Sequence, residues 1–307
     1  MRFLHICNTY FEWELLQAKT PSLAQAMNSH PVFRKLQYIP LYYADPSDGV
    51  LVTAPPSGQW LPRIHLTHDP LPSYDAIIDW GASPAIAAWA KAHDIPYSMP
   101  PWECVRAVHS KAFAHELCPL PGSALLWNTS DLEQFKPRGP VVYKQCIEAA
   151  GRGLLVNPTP VQLASFCARA WKQGQPVIAQ PWKKRLVDFS TQWRISKEGA
   201  IDYLGVTICK NNARGQYLGS EVGMEMEPPP EHRLALKEMH TRGFFGNVGI
   251  DAFTYDEDGM EKLHPICEIN ARKTMGWLAL ELQKRMQKPL SIHFEKPDWT
   301  LRISTTE

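Results

Sequence analysis

The sequence feature that most constrains the fold is a pair of strand-like segments near the carboxyl-terminal end. Gly249–Tyr255 and Leu263–Asn270 both have the length and composition of strands, and the acidic stretch Asp256–Gly259 separates them. Two such segments joined by a short glycine-containing turn predict an antiparallel β-hairpin. The hairpin then decides which side chains of the two segments lie next to each other.

The predicted hairpin carries oxygen-bearing side chains. Because side chains alternate between the faces of a strand, Glu268 and Asn270 point the same way. If the turn centres on Gly259 and Met260, Asp251 falls opposite Glu268 on the partner strand. Two carboxylates and an amide oxygen form a ligand set that suits Mg²⁺. The polar outer face of an ordinary hairpin is the alternative interpretation.

A second segment has the features of a phosphate-binding loop. Val141–Lys144 is a predicted strand that ends in a lysine, and the small residues of Ala149–Gly153 follow it. A lysine ammonium and the N–H groups of such a loop can hold phosphates together. The segment lacks the Gly-Lys-Ser/Thr of a Walker motif, and a plain hairpin is the alternative.

A third segment is an apolar strand that ends in a bend. Val177–Trp182 contains the sequence Gln180-Pro181-Trp182, and Asp188 follows on a new strand. Free backbone groups and an apolar ring at such a bend suit an adenine, and a nearby carboxylate suits ribose hydroxyls. By itself this segment is only a turn between strands.

Two cations lie between the predicted metal strand and the next helix. Arg272 and Lys273 immediately precede a helix start near Thr274. A helix start favours anions, so these side chains are candidates to bind a carboxylate or a phosphate. A solvated pair flanking the helix is the alternative.

In this order along the chain, the segments resemble the ATP-grasp superfamily over about residues 101–286. The resemblance matches Lys111 to a lysine that precedes the nucleotide-binding subdomain and Lys144 to the lysine before the flap. It implies that Arg272 and Lys144 are catalytic. The metal ligands that it implies are Asp251, Glu268 and Asn270. The nucleotide-binding residues that it implies are Lys111, Lys144, Ala150, Gly151, Arg152, Gly153, Gln180, Pro181, Trp182 and Asp188.

The resemblance also implies the fold class, which is α/β with an α+β nucleotide-binding part. An amino-terminal α/β domain at residues 1–100 is expected to precede two α+β subdomains that clasp the nucleotide. The central subdomain with its flap is expected at 101–180, and the carboxyl-terminal subdomain with the metal site at 181–307. A Pro-Pro pair marks the first boundary, and Trp102–Leu117 is a predicted helix just after it.

The first hundred residues alternate between strands and helices, which favours a parallel sheet. We predict strands at Arg2–Cys7, Tyr38–Tyr43 and Tyr74–Gly81, and a loop over Thr53–Pro72. Ser83, followed by a proline, predicts the start of a helix. This segment has the general form of an amino-terminal substrate domain but does not identify the substrate.

Composition and charge exclude several classes of protein. A formal charge of +1 provides no overall field for attracting nucleic acid or an acidic membrane. The seven cysteines contain no CxxC pair, and no run of about 18 apolar residues could span a membrane. A reducing cytoplasm is the expected location. His65, His68 and Asp69 lie in the predicted loop, and we assign no metal to them.

The expected reaction is the joining of a small-molecule carboxylate to an amine, with ATP and Mg²⁺ (or Mn²⁺) as cofactors. ATP would convert the carboxylate into an acylphosphate, and the amine would displace phosphate to form an amide. A nucleotide-binding regulatory protein without turnover and a small-molecule kinase are the alternatives. We expect no nucleic-acid or membrane partner, and a homodimer is a possible assembly.

Overall fold

Four parallel strands form a sheet at the amino-terminal end of the chain. We describe them from a computed structural model that covers residues 1–148, 153–212, 215–296 and 298–305. The strand order is β3-β2-β1-β4, and neighbouring strands are parallel. The α/β class predicted for this part is therefore confirmed. The strands are β1 (Phe3–Ile6), β2 (Gly49–Val52), β3 (Arg63–Leu66) and β4 (Ala76–Asp79).

Short helices follow or connect these strands. Helix α4 begins as predicted, because the Ser83 hydroxyl accepts a hydrogen bond from the Ile86 N–H and a proline occupies the first turn. The helices are α1 (Phe11–Leu15), α2 (Leu23–Asn28), α3 (Pro31–Leu36), a 3₁₀ helix (Ile39–Tyr42) and α4 (Pro84–Ala92).

Two predictions for this region are wrong. The predicted strand Tyr38–Tyr43 is the 3₁₀ helix, in which the Leu41 N–H bonds to the Tyr38 carbonyl. Pro40 has no N–H to donate to a sheet, which favours the helical turn. The predicted loop Thr53–Pro72 contains β3, an edge strand of only four residues that is too short to show a strand pattern in the sequence.

The second sheet follows in the chain and is antiparallel. Its strand order is β5-β8-β6-β7. Thr159 caps the long helix α8 in a reciprocal pair of hydrogen bonds with Gln162. The elements are β5 (Ala124–Leu126), α7 (Thr129–Gln134), β6 (Val141–Gln145), β7 (Leu154–Val156), α8 (Pro160–Lys172) and β8 (Val177–Pro181).

The predicted helix Trp102–Leu117 is interrupted at Ser110. It consists of α5 (Trp102–His109) and α6 (Lys111–Leu117). Ser110 has an extended backbone, and its hydroxyl accepts a hydrogen bond from the Ala112 N–H. The new helix start places Lys111 at the first position of α6, where its side chain is buried.

The third sheet has seven antiparallel strands, and the predicted hairpin forms one edge of it. Helices α5, α6 and α9 contribute to a large apolar core with its strands. The elements are β9 (Lys184–Ile195), β10 (Ile201–Asn211), β11 (Tyr217–Val222), α9 (Pro230–Thr241), β12 (Gly246–Glu257), β13 (Met260–Asn270), α10 (Met275–Met286), β14 (Leu290–Glu295) and β15 (Thr300–Thr305). The strand order is β13-β12-β9-β10-β11-β14-β15.

The hairpin turn lies one residue earlier than predicted. Asp258 and Gly259 form the turn, and both have positive φ, which an Asp-Gly pair adopts readily. A bulge around Pro265 then shifts the register, because proline cannot donate to the ladder. Asp251 consequently pairs with Glu268 as predicted, although the predicted turn centre is wrong.

Two strands that the sequence analysis does not predict, β14 and β15, complete the third sheet. Strand β14 pairs with β11, and helix α10 packs against the same part of the sheet. The mixed α/β architecture confirms the predicted fold class, and the boundaries near residues 100 and 180 stay predictions. Within the described residues, no helix is long and apolar enough to cross a bilayer.

Candidate active site

A cavity of about 850 Å³ is lined by strands of the second and third sheets and by connecting segments of the amino-terminal part. Gln180, Pro181 and Gly153 are described but do not line it. Ala150, Gly151 and Arg152, the predicted tip of the flap, lie outside the described residues. The cavity brings together eight of the predicted site residues: Lys111, Lys144, Trp182, Asp188, Asp251, Glu268, Asn270 and Arg272.

The predicted metal ligands lie side by side on β12 and β13. Asp251 is directly opposite Glu268, and the Asn270 amide donates a hydrogen bond to the Asp251 carboxylate over 3.1 Å. Burial and the negative charge of Glu268 raise the pKa of Asp251 from 3.8 to about 6. A cation between the two carboxylates would relieve that repulsion, and every donor is a hard oxygen. The residues therefore fit Mg²⁺ or Mn²⁺.

Lys111 is already paired with carboxylates. Its ammonium lies 3.0 Å from Glu148 and 3.0 Å from Glu268, and the side chain is buried. Burial alone would lower the pKa of Lys111, but the two carboxylates outweigh it and raise that pKa. Lys111 therefore stays charged and connects α6 to β13 through Glu268.

Lys144 has a different environment. Its side chain is buried, and its ammonium makes a 3.8 Å contact with the Cys267 sulfur. No carboxylate lies within ion-pairing distance of it among the residues that the structure describes. Burial and the nearby positive charges of Arg185 and Lys111 lower the pKa of Lys144. Burying an unpaired ammonium costs free energy, and an anionic ligand that binds it offsets that cost.

Of the residues predicted to hold adenine and ribose, Trp182 and Asp188 line the cavity, whereas Gln180 and Pro181 do not. The Trp182 N–H donates to the Pro140 carbonyl over 2.8 Å, so it continues the sheet. Asp188 is held by Arg185 at 2.5 Å, and the Arg185 guanidinium lies 4.0 Å from the centre of the Phe253 ring. Arg185 is a cation of the cavity that sequence reasoning missed, because it lies in an ordinary polar strand start.

Arg272 lines the cavity but is paired with a residue from the other end of the chain. Its Nε donates to the Glu12 carboxylate over 2.6 Å, its Nη2 forms an ion pair with the same group, and its Nη1 donates to the Lys273 carbonyl. Glu12 is buried and also lies 3.7 Å from His109. No sequence signal connects Glu12 to Arg272, which is 260 positions later.

Lys273 does not face an anion site, so that prediction is wrong. Its ammonium is buried, donates to the Asp79 carbonyl at the end of β4 over 2.7 Å and lies 4.6 Å from the Trp277 ring centre. Burial lowers the pKa of Lys273 to about 8, against the opposing effect of the Asp79 carboxylate. Lys273 instead connects the first sheet to the start of α10.

The histidines of the amino-terminal segment are apart from this cavity. His65 is hydrogen-bonded to the Tyr74 hydroxyl at 2.6 Å, and His68 is exposed beside Asp69. Within the described ranges, no group of three or more His, Cys, Asp or Glu side chains could hold a metal ion.

Comparisons with solved structures show which known folds the chain resembles. The chain is similar to the N5-carboxyaminoimidazole synthetase from Staphylococcus aureus complexed with ADP, with a TM-score of 0.53 and 10% identity, over 96% of this chain and 82% of that one. It is also similar to the L-amino acid ligase from Bacillus licheniformis, with a TM-score of 0.50 and 13% identity, over 96% and 81%. The chain has an ATP-grasp-like fold.

A third likeness covers less of the other protein. The chain spans 55% of the biotin carboxylase domain of the Hydrogenobacter thermophilus 2-oxoglutarate carboxylase, with a TM-score of 0.48 and 15% identity over 68% of this chain. No protein-family model matches the sequence, and a search of curated proteins finds no match.

Proposed function

We propose that this protein is an ATP- and Mg²⁺-dependent ligase that joins a carboxylate to an amine. One observation supports the proposal above all. The carboxylates of Asp251 and Glu268, with Asn270, line the same cavity as Lys144, a buried ammonium that is not paired with a carboxylate among the described residues. Within an ATP-grasp-like fold, this arrangement suits the phosphates of ATP and their metal ion.

The role proposed for each charged residue follows from the groups around it. Lys144 would bind the phosphates, because an anionic partner offsets the cost of burying its ammonium. Lys111 would hold Glu268 in position, since its 3.0 Å contact fixes that carboxylate. A bound Mg²⁺ would neutralise charge on the transferred phosphate. The cavity would restrict water from a reactive acylphosphate, which the amine attacks to form an amide.

Arg272 would stabilise oxygens at the reacting carboxylate. The Glu12 carboxylate contacts both the Nε and the Nη2 of Arg272. The direction of the Arg272 guanidinium is therefore fixed before substrate binds. A preorganised cation of this kind is worth about 3 kcal/mol of barrier, or roughly 10²-fold in rate. The proposal for Arg272 therefore includes a positioning role for Glu12.

The experiment is a hydroxamate assay that does not require the natural amine. The protein is incubated with ATP, Mg²⁺, hydroxylamine and individual carboxylic acids, and both ADP and the hydroxamate are measured. A ligase forms ADP and hydroxamate in equal amounts, because hydroxylamine captures the acylphosphate. A kinase that phosphorylates an alcohol forms ADP and a stable phosphate ester without hydroxamate. Binding of ATP without ADP formation across a broad panel would favour the non-catalytic alternative.

A matched pair of variants tests the metal site. Glu268→Gln removes one anionic ligand and should lower turnover at least 10²-fold at moderate Mg²⁺, while the hairpin keeps its fold. Glu261→Gln is the control, because Glu261 lies on the same strand and is exposed. Equal turnover in the two variants would contradict the metal assignment.

A further inference from the structure

Part of the cavity has no role in the reaction proposed above. One part of its wall is apolar and is built from both ends of the chain. Helix α3 and the start of α10 form two sides of this part, and the tip of the β14–β15 hairpin forms the third. We call it the apolar compartment, and its lining residues are Val32, Phe33, Leu36, Met275, Phe294 and Trp299.

The walls of the apolar compartment belong largely to one packed cluster. Leu36 is buried in it, and Val32, Met275, Phe294 and Trp299 pack against it while remaining partly accessible. The Phe294 and Trp299 rings are 6.4 Å apart and inclined at 44°. An accessible surface of aliphatic and aromatic side chains inside a cavity favours an apolar ligand group, since burying such a group removes apolar area from water on both sides.

An ion pair links the two ends of the chain at the compartment's edge. Lys35 on α3 lies 3.6 Å from Asp298 in the β14–β15 turn, and both side chains are exposed. The Lys296 ammonium lies 5.3 Å from the Trp299 ring centre. The charged groups at this edge are thus on the solvent side, and the lining behind them is apolar.

The apolar compartment adjoins the proposed reacting centre. Met275 is only three positions after Arg272, and both line the same cavity. On the amino-terminal side, Thr9 and Glu12 also line it, and the buried Thr9 hydroxyl has no hydrogen-bond partner among the described residues. A ligand can therefore place a polar end beside Arg272 and an apolar end against Met275.

From this arrangement we infer that the acyl substrate is a carboxylic acid bearing an aromatic or large branched aliphatic group, and that this group lies in the apolar compartment. The inference rests on the proposed function and adds the class of substrate. The carboxylate lies beside Arg272 and the proposed metal ligands, and the apolar group contacts Phe294 and Trp299. The β14–β15 hairpin is consequently a specificity-determining element.

The first test measures specificity in the hydroxamate assay. We expect 3-phenylpropionate and 4-methylpentanoate to exceed propionate in kcat/KM by roughly 10- to 100-fold, the gain from burying such a group. Trp299→Ala should reduce that ratio by about tenfold or more. Trp127→Ala should leave the ratio unchanged, because Trp127 is exposed and does not line this cavity. Val32→Phe, which fills the compartment, should shift the preference towards shorter acids.

A second measurement separates this inference from the proposed function. Binding of 3-phenylpropionate in the presence of ADP and Mg²⁺ is measured by calorimetry, which needs no turnover. Binding that Trp299→Ala weakens would support the compartment even if no hydroxamate formed, and only the ligase proposal would then fail. Hydroxamate formation that favours propionate, or that Trp299→Ala lowers equally for all acids, would overturn the inference and leave the ligase proposal in place.

Discussion

Removing the charge of Asp251 should stabilise the ligand-free protein, although the residue is a proposed metal ligand. Its carboxyl has a pKa of about 6 in the folded chain, against 3.8 ordinarily, because of burial and then the charge of Glu268. At roughly 1.4 kcal/mol per pH unit, holding Asp251 ionised at pH 7 costs the fold about 3 kcal/mol. Asp251→Asn keeps the shape and removes that cost.

The sign of the pH dependence follows from the direction of the pKa change. The folded pKa lies above the unfolded one, so the unfolded chain releases this proton first as the pH rises. The penalty is therefore nearly absent below pH 3.8, grows between 3.8 and about 6, and is complete above that. The gain from Asp251→Asn should be about 3 kcal/mol at pH 7.5 and only about 1 kcal/mol at pH 4.5.

The assay is thermal unfolding with a metal chelator present. For a chain of 307 residues, 3 kcal/mol corresponds to a rise of about 5 °C in the melting temperature. Asp256→Asn is the matched control, because Asp256 lies on the same strand, is partly exposed and has its pKa lowered by hydrogen bonds from Lys184 and the Gly259 N–H. That variant should not gain stability.

Two results would refute this reasoning. Asp251→Asn could melt at or below the parent temperature at pH 7.5, which would mean that the ionised carboxylate is not destabilising. Alternatively, the gain could be the same at pH 4.5 and 7.5, which would mean that it does not come from the proton. Saturating Mg²⁺ and ADP should reverse the order of stability, because only the parent then has both carboxylate ligands.

Three further predictions concern residues around the cavity. Lys144→Ala should weaken ATP binding by roughly 10- to 100-fold and adenosine binding little, which calorimetry measures, and equal losses would remove Lys144 from the phosphate site. Glu12→Gln should lower the free energy of unfolding by up to about 3 kcal/mol in denaturant titrations, because Arg272 loses its charged partner. Gly81→Ala should destabilise the protein by about 1–3 kcal/mol, since a Cβ there would lie 2.8 Å from the Arg272 Cβ and from the Phe11 ring. An unchanged midpoint in either denaturant titration would contradict the corresponding contact.

Local signals determined the elements whose partners are near in sequence. The hairpin of β12 and β13 follows from two strand-like segments and an Asp-Gly turn, so its existence was predictable. The pairing of Asp251 with Glu268 was predicted correctly, but from a turn position that is wrong. The turn lies one residue earlier than predicted, and the bulge at Pro265 compensates. A proline's effect on register depends on the partner strand, which the segment alone does not contain.

Short segments were the least predictable, because single residues decide them. Ser110 interrupts a segment whose composition is helical throughout, since its hydroxyl caps a new helix start. The segment Arg63–Leu66 forms a strand because it pairs with the neighbouring strand β2. No pattern inside the segment indicates that pairing. In both places a tertiary neighbour or a cap overrides the average preference of the segment.

The candidate site also combines residues that the sequence predicts with contacts that only the tertiary structure shows. Lys111, Lys144 and the proposed metal ligands were predicted from their order along the chain, because each belongs to a short segment of its own. The pairing of Glu12 with Arg272 and the apolar compartment between α3 and the β14–β15 turn depend on bringing the two ends of the chain together. Such contacts arise from how the sheets and helices pack, and that packing is a property of the whole chain which no local pattern encodes.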